Sequence, residues 1–243
     1  MQNLNYGVIG NCSTAALISE KGAIEWLCFP EFDSPSVFAA ILDRQKGGHF
    51  GFKVTSDYKV TQSYVPHTNI LSTHFESEEG AFDVVDFMPC YPTSDGKDFY
   101  RPAEIYRYIR WAKGRPRMKV DYRPAPNYAR GKTIYNVTSQ YVETYSSVEN
   151  KDRQYLYSSL DLKKVVNHDE ITLEKDEFFL FSFNEKVIPV DIEREKLEYC
   201  RTLVYWLNWT DHAKRYTRYN EVIERSMLVL KLMTYRNGAV MAA

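Results

Sequence analysis

The chain has 243 residues, with 31 Lys and Arg against 32 Asp and Glu, a formal net charge of −1. With no basic run to upset that balance, nucleic acid and an anionic membrane surface are excluded as principal partners, and no apolar stretch approaches the ~20 residues of a membrane span. Aromatic residues make up 15%, with 19 Tyr and 13 Phe, which suits pleated, half-buried strands. Sugar-binding proteins also use aromatic faces for stacking, and composition does not separate the two.

The opening string Met1-Gln2-Asn3-Leu4-Asn5-Tyr6 has neither a charged nor an apolar segment. No signal peptide is expected, and the protein is expected in the cytoplasm. Cys12, Cys28, Cys90 and Cys200 are far apart and form no CxxC pair. No disulfide framework, zinc site or cofactor is therefore expected. The N-x-[ST] sequons at Asn11, Asn136 and Asn208 read as chance without an export signal.

From residue 6 to about 188 the hydrophobic period is mostly two. The 28–36 loop holds Pro30 and Pro35 and precedes a helical stretch expected over 37–42, with Asp33 placed to cap it. Leu71, Thr73 and Phe75 lead into Glu78-Glu79-Gly80, and Phe82 and Val84 lead out, which predicts a hairpin with an acidic turn. Strands are expected at 105–111, 133–145, 154–162 and 177–184. Between them, Met118, Val120 and Tyr122 alternate with charged residues as a half-buried strand. The run Phe178-Phe179-Leu180-Phe181 is apolar on both faces and is expected inside. A second loop, 123–128, is expected with the first at strand ends, where sites tend to be built. So many turn-separated strands predict a mainly β, antiparallel sandwich rather than an α/β fold.

After Pro189 the period turns helical. Residues 192–212 carry Leu197, Cys200, Val204 and Leu207 at helical spacing with charges between. A second helix is expected over 220–235, with Val222, Ile223, Met227, Leu230 and Met233 on one side and Leu228 and Leu232 on the other. It is expected to be buried nearly all round. The apolar tail Gly238-Ala239-Val240-Met241-Ala242-Ala243 is expected to meet further elements.

Standard chemical motifs are missing. There is no GxGxxG or GxSxG, and Gly131-Lys132-Thr133 has Pro126 where a phosphate loop needs its first glycine. His49, His67, His74, His168 and His212 never fall at metal-ligand spacing. Asp83 and Asp86, three apart in a strand, leave on opposite faces. Glu25 and Glu31 flank the 26–30 segment, either as cleft-lining residues or as solvent-facing glutamates. No acid/base pair emerges.

Five strings carry a resemblance: Tyr6-Gly7-Val8-Ile9-Gly10-Asn11-Cys12; Gly22-Ala23-Ile24-Glu25-Trp26-Leu27-Cys28-Phe29-Pro30; Phe32-Asp33-Ser34-Pro35-Ser36-Val37-Phe38; Thr68-Asn69-Ile70-Leu71; and Arg225-Ser226-Met227-Leu228-Val229-Leu230-Lys231-Leu232-Met233. In this order they resemble the front of glycoside hydrolase family 15 proteins, the glucoamylase, glucodextranase and trehalase group. The family usually has aspartate where Glu25 stands and arginine where Glu31 stands, and the second departure reverses a charge. The resemblance implies a β super-sandwich over 1–190, a helical linker over 191–216, and over 217–243 the truncated start of an (α/α)6 catalytic barrel. It also implies inverting hydrolysis of an α-glucosidic bond by two carboxylates roughly 6.5–9.5 Å apart. Both belong to the barrel, so no catalytic residue is assigned in this chain and the fragment is expected to be inactive alone. Partners implied are the remainder of the barrel and, in the intact enzyme, trehalose or an α-glucan. Self-association through 220–235 is a further expectation. The sandwich then serves as a scaffold, as a loop donor through Trp26, Asp33 and His49, or as a binding module. The alternative is a stand-alone carbohydrate-binding or protein-interaction sandwich.

Overall fold

The computed structural model describes residues 4–55, 57–149, 151–188, 190–235 and 237–241. The chain begins with short strands: β1 (Tyr6–Gly10), β2 (Ala15–Ser19), β3 (Ile24–Cys28), β4 (Ser36–Phe38), β5 (His49–Lys53), β6 (Lys59–Tyr64), β7 (Leu71–Ser77) and β8 (Gly80–Phe87). A small ribbon follows, β9 (Tyr91–Pro92) and β10 (Phe99–Tyr100), then β11 (Glu104–Gly114), β12 (Arg117–Arg123), β13 (Thr133–Val137), β14 (Val142–Ser146) and β15 (Gln154–Ser158). After them come α1 (Leu162–Asn167), β16 (Glu170–Thr172), β17 (Glu177–Phe183), α2 (Ile192–Asp211) and α3 (Asn220–Leu232).

Two antiparallel sheets result. One runs β1-β2-β3-β5-β12-β16 with β4 added on β3, and the other runs β13-β14-β15-β17-β11-β8-β7-β6. Their inner faces share one core, in which Ile18, Phe38, Phe50 and Val120 of the first sheet meet Phe82, Val84, Phe179 and Phe181 of the second. The outer face of the second sheet is also apolar. Val85, Phe87, Tyr106, Phe178 and Leu180 pack there with Tyr205 and Trp206 of α2 and Leu228 and Leu232 of α3. The molecule is thus sheet on sheet on helix. This explains the 178–181 run: alternate side chains point into two different cores.

Arg107 ties the sheets together. On β11 and fully buried, it donates to Asp86 of β8 through Nε at 2.7 Å and Nη2 at 3.2 Å, and to the carbonyl of Phe50 at 2.6 Å and that of Gly22. Its guanidinium also lies 4.7 Å from the ring centroids of Phe50 and Phe52. Every donor direction but one is therefore filled across the sandwich, which is what a buried cation requires.

Several local expectations are corrected. The 37–42 segment is not a helix. Val37 and Phe38 pair with β3, and the next amides bond to distant carbonyls, Ala39 N to Gly47 O at 2.7 Å and Ala40 N to Gly48 O at 3.1 Å. Asp33 therefore caps nothing; its turn is closed by Ser34 and Glu31. The 133–145 strand is a hairpin, broken at Thr138, whose N–H and hydroxyl both bond the Tyr141 carbonyl. The 154–162 strand stops at Ser158, because Asp161 accepts from Lys163 N and starts α1, which drops Leu162 and Val165 into the inner core. The acidic-turn hairpin stands as β7–β8. Gly114 ends β11 opposite Gly80, at φ +69°, where a Cβ would sit 2.3 Å from the Glu79 carbonyl oxygen.

The expectation for the last helix is also corrected. Of α3 only Leu228 and Leu232 are buried, while Val222 is 66% and Leu230 57% exposed. The helix ends at Leu232, and the tail turns back through a Thr234–Val240 bridge. Among the described residues no helix is long and apolar enough to cross a membrane.

Candidate functional site

α2 lies on the sheet with its polar side inward. Asp191 starts it by accepting from Arg194 N at 2.8 Å. Its buried residues are Glu195, Glu198, Thr202, Tyr205, Trp206 and Thr210. The apolar stripe lies opposite, with Val204 64%, Leu197 47% and Leu207 39% exposed and Cys200 exposed too. An amphipathic helix docked on a finished core shows the reverse.

The inward carboxylates meet those of the sheet. The Tyr91 hydroxyl donates to Glu198 Oε2 at 2.7 Å, and Arg201 Nη1 donates to Glu198 Oε1 at 3.2 Å. The Tyr106 hydroxyl donates to Glu104 Oε2 at 2.9 Å and accepts from Arg194 Nε at 3.2 Å. Burial pushes the Glu104 carboxyl up to about 7, opposed by Tyr106 and Arg194. Glu195 is fully buried with no hydrogen-bond partner on either carboxyl oxygen among the described residues. Burial, with the charges of Asp86, Glu198 and Glu104 behind it, raises this carboxyl well above the ordinary range. Burial thus favours the neutral form of both acids beneath the helix.

Between α2 and the β9–β10 ribbon runs an open groove of about 1390 Å³, walled by Tyr91, Phe99, Tyr100, Val204, Trp209 and Met227. Glu198 is the one carboxylate lining it among the described residues, and it is held by Tyr91 and Arg201. A smaller cleft holds Asp211 and Glu224, which face Arg215 at 3.7 Å and His67 at 2.8 Å. Each of these acids therefore has a polar partner. The groove has the character of a docking surface, apolar with a polar edge.

On the first sheet, His49 sits in a different cleft of about 580 Å³. Asp121 of β12 is its hub. The carboxylate is 5% exposed and meets His49 Nε2 at 2.8 Å, Lys53 Nζ at 2.7 Å and Arg123 Nε at 2.6 Å. Against burial, the hydrogen bonds from Arg123, Lys53 and His49 hold Asp121 far below the usual carboxylate range. Trp26 is half-buried on β3, and Asp33 is exposed in the loop beyond it. No hydrogen bond or ion pair joins any two of Trp26, Asp33 and His49 among the described residues. Asp83 and Asp86 do lie on opposite faces, Asp83 with His74 and Arg110, Asp86 with Arg107.

Sequence reasoning passed over Asp121, Glu104 and Glu195. The signal for the inward face of α2 was present as Glu195, Glu198 and Thr202 at helical spacing, but polar spacing ordinarily marks the solvent side.

The signature strings converge on the junction with α3. Asn69 Nδ2 donates to Leu228 O at 3.0 Å, and Arg225 Nη1 donates to Thr68 O at 2.9 Å. The Cys12 thiol donates to Lys231 O at 3.4 Å, and a Cβ at Gly10 would lie 2.9 Å from Leu232.

Residues 5–150 match the family described as trehalase-like, N-terminal. The trehalase of Thermoplasma acidophilum is 29% identical over 236 residues, covering 93% of this chain and 39% of that relative. The trehalase of Mycolicibacterium smegmatis is 26% identical over 270 residues, covering 98% of this chain and 39% of its own length. Trehalase 1 of Sulfolobus acidocaldarius is 51% identical over 85 residues, 34% of this chain and 14% of the relative. The chain spans about two fifths of the length of the curated relatives it matches along most of its own. With the fold and more than half of the chain matched, the chain belongs to the trehalase-like N-terminal family.

Proposed function

We propose that this chain is the non-catalytic front of a trehalase-type glycoside hydrolase, inactive alone, whose outer helical face seats the catalytic part. Residues 1–190 serve as the sandwich, 191–216 as the linker and 217–243 as the opening of the (α/α)6 barrel. The observation that carries the reading is the inverted α2: an apolar stripe turned outward beside an aromatic groove, with Val222 and Leu230 of α3 exposed as well. Exposed apolar surface of this kind marks an interaction site. The names of the relatives support trehalose as the substrate of the whole.

The purified chain, incubated with trehalose, is expected to release no glucose above buffer. Release that copurifies with the chain would overturn the non-catalytic assignment. Light scattering is expected to show concentration-dependent association that a Val204→Glu, Leu230→Glu double variant abolishes. A wild-type chain that stays monomeric at high concentration counts against the docking role. Trp26, Asp33 and His49 enter this reading as residues shaping the sugar pocket in the intact enzyme. There, Asp33→Ala is expected to raise KM with little loss of stability.

A further inference from the structure

Two features meet in the cleft that holds His49. The first is charge. Phe50 and Phe52 of β5 and Val120 and Tyr122 of β12 point into the core shared by the sheets. His49, Lys53, Asp121 and Arg123 alternate with them and so lie on the outer face of the first sheet, across the sandwich from α2. There a cleft of about 580 Å³ gathers Arg44, Lys46, Lys53 and Arg123 around Asp121, the one carboxylate lining it among the described residues. In a chain of net charge −1 this concentration of positive charge is local. Low-dielectric walls focus such a field on an incoming anion.

The second feature is backbone. Asn127, Tyr128 and Ala129 all hold left-handed φ values, 56°, 55° and 56°. L residues visit that region singly, and a run of three is strained. The turn is held by Asn127 Nδ2 donating to Glu149 at 2.6 Å and by Tyr128 N donating to Ser36 O at 3.3 Å. It brings Ala129 and Gly131 to the wall of the cleft. Backbone strain that the surroundings enforce clusters at ligand clamps.

Arg123 supplies the recognition geometry. Asp121, 5% exposed, takes only its Nε, at 2.6 Å. No hydrogen bond among the described residues uses either Nη. Lys53 Nζ reaches Asp121 at 2.7 Å and has further N–H donors to give. Arg44 and Lys46 make no ion pair among the described residues. A guanidinium held by one edge, with ammonium groups beside it, matches a tetrahedral dianion, whose oxygens accept several charge-assisted bonds at once. A lone carboxylate would leave most of this charge unanswered. We infer that the cleft binds a phosphate dianion, free or as the monoester of a small hydroxylated compound, with Arg123, Lys53, Arg44 and Lys46 as donors. The volume falls within the range of small-molecule sites. The site belongs to the sandwich and does not rest on the glycosidase reading.

The test is isothermal titration calorimetry on the full chain at pH 7.5, with ionic strength held constant by sodium chloride. The probes are inorganic phosphate and glucose 6-phosphate, with glucose as the uncharged control. Saturable binding of a phosphate probe at one site is expected, and none of glucose. Tighter binding of the ester assigns the ester as the source of the group; equal or weaker binding assigns free phosphate. Arg44 and Lys46 are exposed; the double variant Arg44→Gln, Lys46→Gln is expected to weaken binding about tenfold or more, as is Arg123→Gln alone. Arg123→Lys keeps the charge, loses the planar fork and is also expected to bind more weakly. Lys21→Gln with Lys175→Gln removes two exposed charges that do not line the cleft and is expected to bind as wild type. Circular dichroism checks that each variant is folded; should Arg123→Gln fail, the 44/46 pair decides. The proposal is overturned if neither phosphate probe saturates at millimolar concentration, or if glucose binds as well as its phosphate. It is equally overturned if the 21/175 pair weakens binding as much as the 44/46 pair, or if the 44/46 pair binds as wild type.

Discussion

Replacing Glu104 by glutamine tests the charge state of the seat beneath α2. Glu104 is 5% exposed, and its carboxyl is pushed from the ordinary 4.5 up to about 7 by burial. An acid raised on folding contributes stability fully below its unfolded value. That contribution is lost as pH rises from about 4.5 through about 7. The gap, at about 1.4 kcal/mol per pH unit, amounts to about 3 kcal/mol between acid and mildly alkaline solution. Glutamine keeps an oxygen for the Tyr106 hydroxyl and carries no charge to desolvate. Glu104→Gln is therefore expected to match wild type near pH 4 and to exceed it by about 2–3 kcal/mol at pH 8. For a chain of this size that is about 5–10 °C in Tm. Urea midpoints with unchanged slope, measured at both pH values, give the number directly. Glu195, raised for the same reason, remains in the variant and keeps part of the pH slope. If the variant is no more stable than wild type at pH 8, or if wild type is equally stable at both values, the account of a protonated seat is wrong.

Arg107→Met strands the Asp86 carboxylate inside the sandwich and is expected to cost about 3–5 kcal/mol by urea denaturation; pairing it with Asp86→Leu should recover most of the loss, and a double variant no better than the single would refute the ion-pair explanation. The orientation of α2 is tested by two substitutions two residues apart. Val204→Gln, at 64% exposure, is expected to change stability by no more than about 0.5 kcal/mol. Trp206→Ala, at 1% exposure, is expected to cost about 3–5 kcal/mol. The reverse order would mean that α2 is rotated.

Much of the architecture was legible because alternation is a local property. The 117–123 and 177–183 strands and the β7–β8 hairpin announce themselves through side chains two apart, and the pleat allows those patterns little else. Errors arose where a distant partner outweighed local preference. Val37-Phe38-Ala39-Ala40 is acceptable helix sequence, yet the carbonyls of Gly47 and Gly48 claim its amides. At 154–162 a single side chain, Asp161, changes strand to helix by capping.

The candidate site was less legible than the fold. Nothing near Asp121 in sequence marks it as a hub, since His49 and Lys53 reach it across the β5–β12 pairing. Likewise Asp86 and Arg107 lie 21 residues apart and meet through strand register. The strings 6–12, 68–71 and 225–233, which carry the family resemblance, turn out to be one contact region: Asn69 and Cys12 both bond to carbonyls of α3.

What the sequence determined by itself was the period, hence the strands and helices, and the apolar character of two faces of β17. What only the tertiary structure decided was orientation. A helix pattern states that one side is apolar and the other polar, but not which side faces the protein. In α2 the polar side faces inward, because Tyr91, Arg194, Arg201 and Tyr106 satisfy or offset Glu198 and Glu104 there, while Tyr205 and Trp206 supply the apolar contact. Those compensations come from three separate parts of the chain, and only folding brings them together.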